Sequence, residues 1–533
     1  MRKSSSTLYL YSVGNPADFY SDIECAVDIK LIDIVGKSYV TISNLDLRYS
    51  SAHAIWVRDG SNNIIVEDND ISFIGGALQG TDAGVPRYGN GIEIWGNADT
   101  ITVEYCNSTQ IFDAGLTNQS NADYDVIQTN ITYRYNNVSD SKMGIEIWSQ
   151  NAGELSNIEV LNNTFSQMGY GWSGTSANIF ADSPFYAPDA TVNNIVIRDN
   201  VFDGAANGLD EVVLIGGGHY KFERNIVRNG ETGVEGVWIK KQPPDDYTDP
   251  QNPVIGQNPN VEFNYNLVYG NARRGVRIGD SESLHEGTIS LYNNVIMNNA
   301  TEDNPINPFS NLQISQKVGG TLTLKNNIMK GYTTKIRTPD TGITRNLVLD
   351  YNSYYRSGGG VMINYFETDY TLSQFSNYQT ASCPSPPAPY RDVNSIAQDP
   401  LLADDSNNKF YLQLNSPCID RGTDVLLTQD FEGNPVILPP DIGAYECQMP
   451  VWNLSTGVYY NTLQAAYNAA GNNEIIQSQG LIFTEDLNFN LNKSVTLNGG
   501  LNCNYSAVNG TTTINGTMTI SDGTVTAEGF ELE

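Results

Sequence analysis

A short phrase recurs along the chain: a stretch that alternates apolar and polar residues, an asparagine corner, then another apolar residue. Clear copies are 64–71, 131–138, 158–165 and 195–202. The second asparagine of successive copies lies at positions 137, 163, 200, 225, 266, 294, 327 and 352, a period of roughly 25 to 40 residues. Alternation with period two predicts strands, and a repeat of this length predicts that the strands stack into a solenoid.

Asparagine suits a corner between two strands for a physical reason. Its short side chain tolerates the left-handed backbone of a sharp turn, and its amide can hydrogen-bond to an asparagine in the next coil. We therefore expect the asparagine pairs to stack along one corner. About ten coils should lie between residues 38 and 360, with Ile, Val, Leu and Phe side chains inside.

With this repeat, residues 38–352 resemble the pectin-lyase-like superfamily of right-handed parallel β-helices. The resemblance implies an all-β solenoid with a long lateral face. It implies no particular activity, because the WxDH and RxPxxR phrases of pectate lyases are absent. The NTD, GHG and RIK set of polygalacturonases and the DPH phrase of alginate epimerases are absent too.

Two regions follow the repeats. Residues 361–450 contain the phrases SPCIDRG (416–422) and DIGAYEC (441–447), and they resemble the closing segment of bacterial surface β-helix proteins often called a choice-of-anchor domain. Residues 460–471 predict an amphipathic helix that ends at a glycine. The strands predicted after it, near 494, 512 and 518, favour the start of a second, truncated β-helix within 451–533. Residues 1–37 are interpreted as an N-terminal cap.

Charge restricts the possible partners. The chain has 29 basic and 60 acidic residues, a formal charge of −31, which opposes binding to nucleic acid or to an anionic membrane. No apolar run approaches the ~20 residues of a membrane span. A neutral polysaccharide fits, whereas a polyuronate would need a bridging divalent cation. Alternatively, the acidity serves only solubility. We expect a monomer.

Cysteine use and the chain ends point to export. No CxxC spacing is present, so the six cysteines do not suggest zinc. Cys418 and Cys447 flank the acidic phrases of the closing segment, and we expect them to form a disulfide, with two buried free thiols as the alternative. The basic start at Met1 lacks the apolar core of a signal peptide. The chain is therefore expected to be part of a longer extracellular or cell-surface protein.

A second phrase supplies the candidate site: Gly91–Trp95 (GIEIW) and Gly144–Trp148 (GIEIW). Because strand side chains alternate between faces, the isoleucines should point inward and the Glu and Trp residues outward. In one register the first outward column holds Glu93, Thr117, Glu146, Asn178, Trp238 and Arg277. The neighbouring column then holds Trp56, Trp95, Trp148, Phe180 and Lys240. Another register would place Glu235 in the first column.

These columns predict a glycan site. Glu93, Glu146, Arg277 and Lys240 are the catalytic candidates, and the aromatic rings of Trp56, Trp95, Trp148, Trp238 and Phe180 are the candidate sugar platforms. With one rung between them, the backbones of Glu93 and Glu146 should lie ~10 Å apart, near the carboxyl separation of inverting glycosidases. The three histidines are interpreted as structural residues.

Alternatives stay open at this point. Loops 75–90 and 242–257 could cover the face, with the tryptophans packed beneath them. A lyase would use the basic cluster around Lys240 and Arg277 and a cation, for which residues 245–249 could offer calcium ligands. The chain could also be a non-catalytic adhesin or spacer built of stacked β-helices.

Overall fold

The computed structural model describes residues 29–533 except 79–86, 121–125, 150–152, 170–184, 187–189, 207–210, 242–257, 282–283, 303–308 and 382–390, and before them residues 2–4, 7–9 and 13–21. The chain winds repeatedly through three long sheets whose neighbouring strands run parallel. Each turn contributes one strand to each sheet. The expected parallel solenoid is confirmed, with eleven strands in each of the second and third sheets.

The bounds of the strands follow the repeat. The first sheet contains Ile32–Val35, Ile55–Arg58, Ile92–Trp95, Ala114–Ser120, Met143–Ser149, Phe185–Tyr186, Glu211–Ile215, Glu235–Ile239, Val276–Ile278, Leu312–Ile314, Thr334–Ile336, Ile363–Tyr365 and, antiparallel to the last, Thr368–Tyr370. The second sheet contains Ser38–Ser43, Ser61–Glu67, Ala98–Glu104, Val126–Arg134, Gly153–Leu161, Ala190–Arg198, Gly218–Glu223, Pro259–Asn264, Thr288–Tyr292, Gly320–Lys325 and Arg345–Asp350. The third sheet contains Asp46–Arg48, Asp70–Ile74, Asn107–Ile111, Asn137–Ser139, Thr164–Met168, Val201–Ala205, Ile226–Gly230, Leu267–Tyr269, Val295–Met297, Ile328–Lys330 and Ser353–Tyr355.

One continuous apolar core fills the inside of the coils. Alternate residues of every strand point into it, so each sheet contributes columns of Ile, Val and Leu. Four phenylalanines stack along the axis, with ring centroids 5.2, 6.0 and 5.2 Å apart; they are Phe165, Phe202, Phe222 and Phe263. Burying each such side chain contributes about 1.5–3 kcal/mol, which explains why the period-two pattern is strict inside the repeat.

The asparagine column lies at the corner between the second and third sheets. Asn163 shows the pattern: its Nδ2 donates to Asn200 Oδ1 at 3.0 Å, and its Oδ1 accepts from Asn136 Nδ2 at 3.0 Å. Two details differ from the prediction. Asn136 takes the ladder position in its coil, whereas Asn137 begins the next strand. Cys106 replaces asparagine one coil earlier.

After the coils, the 3-10 helix Leu372–Gln374 and the helix Phe375–Thr380 join the core inside the coils, where Phe375 and Tyr378 are buried next to Tyr354 and Tyr365. The later closing residues pack on the outside of the third sheet and include the hairpin of Leu402–Asp404 and Lys409–Leu412 with the short 3-10 helix Asp405–Asn407. Their apolar side chains form a second core with Tyr265, at the corner, and with the outward residues of the third sheet, which are Leu267, Tyr269, Val295, Met297 and Ile328. The closing segment therefore covers the later coils.

The last 83 residues, 451–533, have a core of their own. They contain the helix Leu463–Ala469, capped by Thr462, which confirms the predicted helix in a shorter form. Their strands are Val451–Asn453, Val458–Tyr460, Glu474–Gln479, Ile482–Phe483, Leu487–Phe489, Ser494–Leu501, Thr512–Ile514, Met518–Ile520, Thr524–Glu528 and Phe530–Leu532. From Glu474 onward these strands pair in parallel. That they begin a second β-helix stays a prediction, as do the four domain boundaries.

The predicted disulfide between Cys418 and Cys447 is wrong. Cys447 is bonded to Cys503, with their Cα atoms 4.7 Å apart. Cys418 is a free thiol, buried in the core between the closing segment and the third sheet, where burial raises its pKa to about 12. Both cysteines belong to the closing segment in the sequence. Cys447 lies at the end of that segment, however, where it meets Cys503 of the C-terminal residues instead.

Short elements precede the coils. Arg2–Ser4 and Thr7–Tyr9 form an antiparallel hairpin, and Pro16–Asp18 form one 3-10 turn. A further hairpin, Ala77–Leu78 with Arg87–Tyr88, rises from the edge of the first sheet. This second hairpin bears on the candidate site, because its residues lie beside Glu93.

Candidate functional site

Strand pairing in the first sheet fixes the outward columns. Glu93 pairs with Thr117 and Thr117 with Glu146, as the sequence predicts. Trp56 pairs with Glu93 and therefore lies in the first column, so its assignment to the second column is wrong. Sequence alignment matched Trp56 to Trp95, whereas the backbone aligns the apolar residues that follow Ala54 and Gly91.

Glycine begins each copy of the GIEIW phrase for a steric reason. A Cβ on Gly91 would lie 2.4 Å from the carbonyl oxygen of Gly115 in the next coil, and one on Gly144 would lie 2.6 Å from the Phe165 ring. Contacts this short do not occur without a shift of the backbone or of the ring. The phrase is thus fixed first by close packing at the entry to the strand.

Glu93 is outside the apolar core but is covered, with only 1% of its surface exposed. Its Oε2 lies 2.8 Å from His53 Nδ1 and accepts a hydrogen bond from Asn90 Nδ2 at 2.8 Å. The ring of Tyr88, in the hairpin, packs edge-on against His53 at 5.1 Å. Glu93 therefore does not line an open groove, because His53, Asn90 and the Tyr88 ring against His53 cover the face at this residue.

Glu146 has a different environment from Glu93. Its half-buried carboxyl lies near Asp113 and Lys142, whose side chains keep 23% and 25% of their surface exposed and form an ion pair at 3.2 Å. Burial raises the pKa of Glu146 to about 8, the negative charge of Asp113 raises it further, and Lys142 opposes the shift. Glu146 therefore holds its proton at neutral pH beside a charged carboxylate.

We name Glu146, Asp113 and Lys142 the Glu146 cluster. Sequence reasoning missed Asp113 and Lys142, although a signal was present. Each lies two residues before the glycine that begins its strand, so both occupy the same position in adjacent coils and meet side by side. Chemically, the cluster offers a protonated carboxyl as a proton donor and an ionised carboxylate next to it.

Residues 30–185 match the family model described as a right-handed beta helix region. This match adds the hand of the coil to the three parallel sheets already described. The coils form a right-handed parallel β-helix. No curated protein matches it significantly.

Three solved structures resemble the β-helix at low identity. A tailspike protein, gp49 from Acinetobacter baumannii bacteriophage Fri1, described as a capsular polysaccharide depolymerase, is 13% identical with a TM-score of 0.30 over 56% of this chain and 46% of its own. Pectate lyase Pel9A is 13% identical with a TM-score of 0.32 over 73% and 88%, and the PL6-family alginate lyase AlyGC is 11% identical with a TM-score of 0.35 over 94% and 68%. The chain spans less than half of the tailspike. At these TM-scores the likenesses say nothing about substrate.

Farther along the β-helix, the first sheet carries a basic cluster. Trp238 pairs with Arg277, as in the first of the two registers that the sequence allows, in which both lie in the first column. Lys240 Nζ and the Arg277 guanidinium each lie 3.9 Å from the centroid of the Trp238 ring. Arg277 also forms an ion pair at 3.4 Å with Glu235, which is buried and bonded to Arg274 as well. Lys240 and Arg277 thus already interact with protein groups.

The other aromatic candidates divide into two groups. Trp56 lies between Lys30 and Arg58, at 4.7 and 4.2 Å from its ring centroid, and Trp95 is half-buried. Trp148 has its backbone paired with Gln119 and Tyr186, but its side chain lies outside the described residues. Asn178 and Phe180 also lie outside them; Tyr186 holds the position paired with Trp148.

The described residues contain neither a metal-binding group nor a membrane-spanning helix. Among the residues that the structure describes, no group of three or more His, Cys, Asp or Glu could hold a metal ion, and the proposed calcium loop at 245–249 lies outside them. The longest helix in the described ranges has seven residues, so none of these helices crosses a bilayer. His53 and His285 are buried and His219 is not; burial lowers the pKa of His285 to about 4.

Proposed function

We propose that this protein is an exported polysaccharide hydrolase whose proton donor is Glu146. The observation that supports the proposal most is the Glu146 cluster itself, a half-buried carboxyl with a raised pKa beside the ion pair of Asp113 and Lys142 on the lateral face of the first sheet. Glycosidic bonds are cleaved by such pairs, with one carboxyl donating a proton to the leaving oxygen and the other acting as base or nucleophile.

The roles follow from the charges. Glu146 donates its proton to the glycosidic oxygen as the bond breaks. Asp113, which is paired with Lys142, takes a proton from the water that attacks the anomeric carbon, so that a bond to the water oxygen replaces the bond to the leaving oxygen. Lys142 positions Asp113 through the 3.2 Å ion pair. Glu93 is a positioning residue at most, because its carboxylate is covered by His53 and Asn90.

Two other functions are weaker on specific grounds. A lyase centred on Lys240 and Arg277 would need a free base, but Lys240 is buried against Trp238 and Arg277 is paired with Glu235. A non-catalytic adhesin that binds sugars on the tryptophans is weakened by Trp56, because Lys30 and Arg58 lie against its ring and leave it poorly open to a sugar. A non-catalytic adhesin would also make no use of the raised pKa of Glu146.

Export is part of the proposal and rests on the disulfide. Disulfides persist in oxidising compartments and are rare in the cytosol, and Cys447 and Cys503 form one. The likeness of the closing segment to a surface anchor is a further expectation from the sequence.

Site-directed variants test the hydrolase directly. Glu146→Gln keeps the shape of the side chain but cannot donate an acidic proton, so it should abolish product formation from a soluble polysaccharide, a loss of at least about 100-fold. Glu154→Gln is the matched control, since Glu154 is exposed on the strand of the second sheet in the same coil. Equal product formation by wild type and Glu146→Gln, measured by reducing ends, would overturn the proposal.

A further inference from the structure

A second column of residues lines the outside of the corner between the second and third sheets. Each member immediately precedes a position of the asparagine ladder and has a positive φ between 52° and 60°. We call it the corner column, and its members are Asn44, Asp68, Tyr105, Tyr135, Asn162, Asp199, Arg224, Tyr265, Asn293, Asn326 and Tyr351. Asn and Asp adopt this left-handed backbone most readily, whereas a bulky aromatic residue adopts it at a steric cost.

Tyr105 and Tyr135 are poor choices for the stability of the fold in two ways. They occupy left-handed positions where the neighbouring coils use Asp68 and Asn162, and they expose 50% and 47% of their surface. Exposed rings gain little from burial. The fold would be served at least as well by asparagine at both positions, and unfavourable backbone conformations of this kind concentrate at functional sites.

Another tyrosine of the corner column shows what such a ring can do. Tyr265 is buried in the core formed with the closing segment, together with Phe410 and Ile442. A tyrosine at this corner can therefore serve as a contact residue for a chain segment that packs over it. Tyr105 and Tyr135 are the equivalent positions at the uncovered end of the same corner.

The two rings form a platform with open ends. They are stacked along the helix axis, 5.1 Å apart and 8° from parallel. One face of each ring packs against the other ring. The opposite face is open and lies, along the helix axis, next to a shorter side chain. That neighbour is Asp68 below Tyr105 and Asn162 above Tyr135, both exposed. Within the described part of the chain, neither of these polar side chains has a hydrogen-bond partner.

An open aromatic face beside an unpaired carboxylate or amide matches the chemistry of a pyranose ring. The C–H face of the sugar packs on the ring, and its hydroxyls bond to the polar group. The nearby charges of Glu104 and Arg134 are paired with each other at 2.5 Å. Among the described residues beside the two rings, the surface therefore offers no free cation to a polyanion, on a chain whose formal charge is −31.

We propose that the corner column at Tyr105 and Tyr135 is a binding surface for a neutral polysaccharide, separate from the Glu146 cluster on the first sheet. It would hold a glycan chain against the outside of the corner between the second and third sheets. The inference goes beyond the proposed hydrolase, because it requires no cleavage.

The test is affinity electrophoresis of the whole chain in native gels cast with galactomannan, arabinoxylan, xyloglucan or dextran. At least one gel should retard the wild type. The double variant Tyr105→Asn/Tyr135→Asn should weaken the association about tenfold or more, while its melting temperature stays equal or rises. Tyr39→Asn is the matched control, because Tyr39 is also exposed with a positive φ but has no stacked partner ring.

Three results would overturn the proposal. The first is that no gel retards the wild type, and the second is that the double variant binds as tightly as Tyr39→Asn. The third is a wild-type dimer that the double variant converts to a monomer in light scattering, which would make the rings an interface between copies. Product formation in the Glu146→Gln assay is read without these gels, so failure of the binding surface and failure of the hydrolase are distinguishable.

Discussion

The pKa of Glu146 reflects burial and the charges around it, chiefly those of Asp113 and Lys142. Burial and the negative charge of Asp113 disfavour the ionised form, and the positive charge of Lys142 favours it. A proton donor must carry its proton at the working pH, so activity should fall as pH rises through about 8, where Glu146 ionises. A pH profile of the rate that stays flat from pH 6 to about 10 would contradict this role.

The charge of Lys142 gives a sharper prediction at the same residue. Lys142→Gln removes the cation that stabilises ionised Glu146, so the pKa of Glu146 should rise further and the alkaline limb of the pH profile should move to higher pH. Lys221→Gln is the control, since Lys221 lies on the second sheet. An alkaline limb that moves to lower pH, or does not move, would show that Glu146 does not control it.

Glu93 and Glu146 show what sequence can predict at the scale of a residue. Both stand in the same GIEIW phrase, and period two correctly directs both away from the apolar core. Whether a side chain is then covered, and which charges it meets, depends on residues far away in the sequence, here His53 for Glu93 and Asp113 for Glu146. Strand periodicity contains no information about those partners.

Among the elements, the asparagine ladder was the most predictable, because each position obeys the same local geometry. Cys106 is its one interruption between Asn69 and Asn352. Its thiol is a weak partner, 3.8 Å from Asn69 Nδ2. Cys106→Asn should restore the missing amide contacts and raise the free energy of unfolding by about 1 kcal/mol, the net value of one hydrogen bond.

Chemical denaturation measures this effect. Asn163→Ala is the opposite case, since it removes the oxygen that accepts from the backbone N–H and the Nδ2 of Asn136 and the Nδ2 that donates to Asn200 Oδ1, and it should cost about 1–3 kcal/mol. A Cys106→Asn variant less stable than the wild type would mean that the ladder does not stabilise the coils through its amides.

The layer that covers the third sheet could have been predicted from the sequence. Outward positions of the early strands are polar, as in Asp70 and Ser72, whereas the later ones are apolar, as in Leu267 and Val295. An apolar residue on an outward position predicts a covering layer. The closing segment supplies it, and Gly443 approaches so closely that a Cβ would lie 2.6 Å from Ile328 Cδ1.

At the scale of the whole molecule, buried carboxyls of the closing segment make its packing pH-dependent. Burial raises the pKa of Asp441 to about 7 and that of Glu446 to about 9. Between pH 4 and 9 the folded protein therefore holds protons that the unfolded chain releases, so stability falls as pH rises, by about 1.4 kcal/mol for each unit of pKa difference. Glu446→Gln should flatten this fall in thermal unfolding; an unchanged slope would be evidence against it.

The bond between Cys447 and Cys503 joins the closing segment to the C-terminal residues. It closes a loop of 56 residues, which stabilises the folded chain by about 4 kcal/mol in the chain-entropy model. Cys503→Ser should therefore speed hydrogen exchange within 451–533 and leave the strands of the three long sheets unchanged. The control is Cys418→Ser, which removes a free thiol, and faster exchange throughout the coils would contradict the prediction.

The overall architecture was predictable because a solenoid repeats one local rule, and the functional assignments were less so because they depend on single contacts. Phrases of the sequence predicted the coils, the corner and the direction of Glu146. The disulfide partner, the register of Trp56 and the cover over Glu93 depend on long-range packing that no repeat encodes.

Hydrolysis by the Glu146 cluster is tested most directly by mass spectrometry of the products formed in water enriched in oxygen-18. A hydrolase adds one water to each glycosidic bond that it cuts. We expect each new reducing end to carry one oxygen-18 atom, and we expect no such products from Glu146→Gln. Unsaturated products without the label would show a lyase instead, and an intact polysaccharide with every substrate tried would show a protein that only binds.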